Sequence, residues 1–133
     1  MTDALSIALS GLTAQKQRLT TTASNIANAS TGGTVPSADP SAPASTVYRP
    51  LEVNFTSSEA GVRAHVTEKD SGYSVIYDPT SVYANGEGLT AVPNVDLAEE
   101  AVNMLETKVA FKANISVIKT QDEMLGELLD TIA

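Results

Sequence analysis

The chain has 133 residues, a formal net charge of -8, one histidine and no cysteine. An acidic chain with no Lys/Arg cluster repels a phosphate backbone, so nucleic acid is not expected as a partner; lack of cysteine excludes disulfides, thiolate metal sites and thiol catalysis. Two Phe, four Tyr and no Trp are few anchors for a deep interior, whereas abundant Ala, Val, Leu and Ile suit extended helical seams.

The N-terminus, Met1-Thr2-Asp3-Ala4-Leu5, lacks the basic region and unbroken apolar core of a cleavable secretory signal. No apolar run approaches the roughly 20 residues that cross a bilayer, so no direct membrane span is expected. Residues 3–28 read as a helix. Leu5, Leu9, Leu12, Lys16, Leu19, Ala23 and Ile26 step alternately by four and three, the a/d seam of a coiled coil. Gly11 weakens that helix by ~1 kcal/mol relative to Ala, and Thr20-Thr21-Thr22 is a poor helical run, so the helix needs a partner.

Residues 29–46, rich in Ser, Ala and Thr with Pro36, Pro40 and Pro43, bury too little surface to offset chain entropy and read as a flexible loop. Between 47 and 77, Val53 and Phe55, then Val62, Ala64 and Val66, then Tyr73, Val75 and Tyr77 alternate as strands do. Turns are expected at Glu59-Ala60-Gly61 and Lys69-Asp70-Ser71-Gly72, and together these give one small antiparallel sheet. Residues 78–95 read as a loop leading back to helix.

From Asp96 onward the pattern is again helical, to 132. Asp96 is a suitable N-cap, with Glu99 three residues on as in a capping box. Leu97, Ala101, Met104, Lys108, Phe111, Ile115, Ile118, Asp122, Leu125, Leu129 and Ile132 repeat the four-three step, along a helix ~55 Å long. The fold class is therefore mainly α. Long N- and C-terminal helices (1–28 and 96–133) pair as a coiled coil, with a loop (29–46) and a small β-rich insert (47–95) between them. The expected contact residues are Leu5, Leu9, Leu12, Leu19, Ile26, Leu97, Met104, Phe111, Ile115, Ile118, Leu125 and Leu129. Two striped helices and a small sheet leave apolar surface uncovered unless other chains cover it.

Signs of catalysis are weak. His65 is the single imidazole and falls on the exposed side of a strand. Asp96, Glu99 and Glu100 crowd a helix start, where the macrodipole favours acids without any ligand. Asn85-Gly86-Glu87-Gly88 has neither the acid spacing of a calcium loop nor the lysine of a phosphate loop and reads as a turn. The Asn-X-Ser/Thr triplets at Asn28, Asn54 and Asn114 lie mostly on helices and carry no glycosylation argument. No enzyme, metal or cofactor is expected.

Ser24-Asn25-Ile26-Ala27-Asn28, followed by Ala29-Ser30-Thr31-Gly32-Gly33, resembles the N-terminal signature of bacterial flagellar rod, hook and hook-associated proteins. The Tyr48-Arg49 pair resembles a segment of the same proteins. So do Tyr77-Asp78-Pro79, Pro93-Asn94-Val95-Asp96, Glu99 to Met104 and Ala110 to Asn114, and the short length is similar to that of proximal rod members. The Ser/Ala/Pro loop and Phe111-Lys112, where Tyr-Gln is more usual, depart from the pattern. The resemblance implies a non-catalytic subunit of a helical tube spanning the periplasm and transmitting torque from motor to hook. It would be exported unfolded by the flagellar type III export apparatus, and would assemble with itself, other rod subunits and basal-body proteins. A small helical adaptor or regulatory protein binding one partner is the alternative.

Overall fold

The computed structural model describes residues 2–37 and 41–132. Helix α1 spans Thr2–Asn28 and helix α2 spans Leu97–Ile132, within a residue or two of the bounds expected from the four-three step. Strands β1 (Leu51–Ser58), β2 (Gly61–Glu68), β3 (Tyr73–Tyr77) and β4 (Leu89–Pro93) lie between them. The expected single sheet is two separate antiparallel pairs, β1 with β2 and β3 with β4.

The β1–β2 hairpin pairs Leu51 with Glu68 at its base and Ser58 with Gly61 at its tip. It lies along α1, where Val62 N–H donates to Ser10 Oγ at 3.1 Å. Gly61 has φ +120° and faces Ser10 and the backbone of Ile7, so the tip needs both the backbone freedom and the absent side chain of glycine. β4 falls in the segment read as loop. Its Pro93 argues against a strand in sequence terms, but proline here occupies the last pair, opposite Tyr73. β4 is also flanked on its other side, where Gly33 and Ala91 exchange backbone hydrogen bonds of 2.9 and 3.0 Å. Ala91 is completely buried as a result.

The two helices run antiparallel, but not through the leucine seams. Asn25 meets Glu100, Arg18 meets Asn103 and Glu106, and Gly11 faces Asn114. The buried positions are Ala8, Gly11, Ala14, Thr21, Thr22 and Asn25 on α1, and Glu100, Thr107 and Gln121 on α2. Most sit one residue before a seam position, a rotation of about 100° on a helix. Small side chains set this register: a Cβ on Gly11 would fall 2.6 Å from Asn114 Oδ1, so the helices approach closely where glycine lowers intrinsic helix stability. Periodicity marked which face is apolar, and it could not say what covers that face. The expected leucine-seam coiled coil within one chain is replaced by a small-and-polar seam, with most of the leucines outside it.

The base of the 29–46 loop is clasped. Thr34 N–H donates to Thr46 Oγ1 and Thr46 N–H to Thr34 Oγ1, each at 3.1 Å, and Ser45 Oγ donates to Thr34 O. Loop residues 38–40 lie outside the described residues.

Candidate functional site

Asn25 is 1% exposed and uses its whole hydrogen-bonding capacity. Its Nδ2 donates to Leu51 O at 2.8 Å and to Glu100 Oε1 at 2.6 Å; its Oδ1 accepts from Tyr48 Oη and from Leu51 N–H, both at 2.9 Å. One amide therefore ties α1 to the end of the loop, to the start of β1 and to the first turn of α2. Tyr48 Oη also lies 3.0 Å from Ser24 Oγ, and Asn28 Nδ2 donates to Ser24 O at 2.9 Å. Ser24, Asn25 and Asn28 of the signature act at this junction; Ile26 and Ala27, on the other side of α1, are exposed.

The second signature approaches the same junction from the other end of the chain. Pro93 is buried and Val95 half-buried. Asn94 donates through its N–H to Gly72 O and through Nδ2 to Ser71 O. Asp96 caps α2 through Oδ1, which accepts from Ala98 N–H at 2.8 Å and Glu99 N–H at 3.2 Å. The capping box does not close reciprocally: the Glu99 carboxylate instead receives Lys69 Nζ at 3.1 Å on both oxygens. Arg18 bridges to Asn103 Oδ1 and Glu106 Oε2 at 2.7 Å each. Arg18, Tyr48, Glu100 and Asn103 were not singled out as contact residues from the sequence. The signal for three of them was the row of small and polar residues one step before each leucine seam.

The expected contact residues divide by face. Leu19, Met104, Phe111 and Ile115 line a crevice beside the helix contact, with a volume of about 460 Å³ and only apolar surface, rimmed by Lys108 and Lys112. Leu5, Ile118 and Leu125 line a second groove nearer the start of α1, together with Lys119, Gln121 and Asp122. Leu9 instead faces a groove between α1 and β2. Leu12, Ile115 and Ile118 are half-buried, while Leu5, Leu9, Leu19, Ile26, Leu97, Met104, Phe111, Leu125 and Leu129 are exposed. Exposed apolar side chains therefore run along much of the helix pair.

The residues weighed for chemistry sit in strand, turn and cap positions. His65 is exposed on β2 opposite Asn54, and Asn85 closes a turn by accepting from Glu87 and Leu89 N–H. Asp78 titrates below its ordinary value because the Thr80 hydroxyl and N–H donate to it, which is a turn contact on the surface. Among the described residues no three His, Cys, Asp or Glu side chains could share a metal ion. No helix among them is long and apolar enough to cross a membrane.

Known proteins with similar sequences share both ends of this architecture. Residues 5–33 match the family described as Flagella basal body rod protein, and residues 87–131 match Flagellar basal body rod FlgEFG protein C-terminal. The flagellar basal-body rod protein FlgC of Escherichia coli O6:H1 is 35% identical over 130 residues, covering 92% of this chain and 91% of its own. FlgC of Agrobacterium fabrum is 34% identical over 133 residues (95% and 91%) and FlgC of Bacillus subtilis 29% over 152 residues (95% and 94%). The two matched regions contain Asn25, its partner Glu100 and nearly all of both helices, and the chain belongs to the flagellar basal-body rod protein family.

Proposed function

We propose that the chain is a structural subunit of the proximal flagellar rod, polymerising through its terminal helices into a tube that carries torque from motor to hook. The observation that carries this reading is the apolar crevice along α1 and α2, which no other described element covers. An adaptor that binds one partner has no support from the family, and neither does catalysis. Partners are other copies of the chain, other rod subunits and basal-body proteins. The flagellar type III export apparatus delivers the chain unfolded across the inner membrane to a rod that spans the periplasm.

The test separates folding from assembly. Leu19 is 44% exposed, so Leu19→Asp should move the unfolding midpoint of the isolated chain little, since exposed substitutions stay within about 0.5 kcal/mol. In an assembled seam the same carboxylate would be desolvated at a cost of several kcal/mol. Leu19→Asp and Ile115→Asp should therefore be secreted and fail to build rods, read by secretion and swimming assays side by side. Normal swimming by Leu19→Asp means the crevice faces solvent in the organelle.

A further inference from the structure

Helix α2 outruns its partner. Gly11 lies opposite Asn114, and Leu5 shares a groove with Ile118 and Leu125, so α1 begins near Gln121. Beyond Gln121 every described α2 residue is exposed. This segment, 122–132, is about 16 Å of helix that could not hold its shape alone in water. It carries the apolar residues Met124, Leu125, Leu128, Leu129 and Ile132, with four acids, Asp122, Glu123, Glu127 and Asp130, and no basic residue.

The crevice has the opposite character. Its surface is apolar and Lys108 and Lys112 are among the residues that line it; the second groove, nearer the start of α1, is lined by both Lys119 and Asp122. Among the described residues Arg18, Arg49 and Lys69 are in ion pairs, whereas these three lysines and the four tail acids have none. The interruptions of the leucine stripes follow the same division: Lys16 and Lys108 fall where the two helices lie side by side, and Asp122 at the start of the tail.

We propose that residues 122–132 of one copy lie in the α1–α2 crevice of the next copy, leucines on the apolar floor and acids against Lys108 and Lys112. This deepens, and rests on, the rod-subunit reading. A copy cannot fill its own crevice, because its tail continues α2 straight past it. Each copy offers one tail and one crevice, a heterologous contact that propagates instead of closing.

Because the chain has no cysteine, disulfide trapping gives a clean readout. Leu19 flanks Met104, and Leu129 lies 25 residues further along α2, about 37 Å away. A Leu19→Cys/Leu129→Cys chain therefore cannot bridge internally, since bridged Cα atoms lie within about 7 Å. Basal bodies isolated from cells carrying this double variant and then oxidised should yield a ladder of covalent multimers, which neither single variant gives. Basal bodies that contain the double variant but give no ladder overturn the tail-in-crevice contact and leave the rod reading standing. Absence of the unaltered chain from basal bodies overturns both. If the cysteine variant is not incorporated, charge exchange decides. Lys112→Glu and Glu127→Lys should each lower incorporation about tenfold, and the two combined should restore most of it; a combination no better than either alone overturns the proposal.

Discussion

The two ends of the helix pair are built on opposite principles. At the end holding Asn25, the contact is polar, buried and closed: one amide makes four hydrogen bonds, Arg18 makes two more, and Asp96 caps the incoming helix. At the other end, past Gln121, leucines stand exposed and the acids beside them are unpaired among the described residues. Geometry-demanding hydrogen bonds fix one register within the chain, while the non-directional hydrophobic effect contributes little to it at the open end, where the leucines stay in water. The difference explains how a chain with little apolar core can still be specific in shape.

The comparison breaks hardest at Asn25. Asn25→Asp removes the donors to Leu51 O and Glu100 and sets one carboxylate against another at the closed end. Leaving a buried charge without its partner costs about 3–5 kcal/mol, so urea unfolding should show a chain close to unfolded. A midpoint unchanged from the parent would mean that the junction is not what holds the ends together. Gly33→Ala comes next. A Cβ there would press into the backbone of Thr46 and Val47; if they yield, the Thr34–Thr46 clasp breaks, and if Gly33 yields, its pairing with β4 breaks. Overpacking of this kind costs about 1–3 kcal/mol, and amide exchange at Ala91 should accelerate first.

The open end should respond weakly and with the opposite sign. Nothing lies within 4 Å of a Cβ on Gly126, so Gly126→Ala should stabilise the tail helix by about 0.5–1 kcal/mol. The effect should appear as slower amide exchange confined to residues near 122–132. If Gly126→Ala instead stops rod formation while the isolated chain folds normally, a neighbouring backbone approaches the tail at that glycine.

Helix positions and strand alternation were legible because each rests on a local repeat: four-three steps for the helices, two-step alternation in Val62, Ala64 and Val66. The cap at Asp96 was legible for the same reason. β4 was not, since Leu-Thr-Ala-Val-Pro is short, ends in proline and is made a strand by neighbours on both sides, Tyr73–Tyr77 and Gly33. The helix seam was half legible. Sequence marked the leucine face as apolar, but a contact made by Gly11, Asn114, Thr107 and Gln121 has no apolar signature. The Ser-Asn-Ile-Ala-Asn motif was visible as a family mark, and only the fold shows that its first asparagine is the hub.

The hub also imposes an order of events. Asn25 reaches its carboxylate partner 75 residues downstream, and Arg18 reaches Glu106 across 88. Contacts of such separation must be preceded by closing a long loop of chain, and folding slows accordingly. A polypeptide synthesised N-terminus first therefore presents α1 with its amide hub unsatisfied until residue 100 has followed, so the closed end cannot form on a partly made chain. The placement of one asparagine thus ties the closing of the helix pair to the appearance of residue 100: the folded shape is available only after three quarters of the chain has been made.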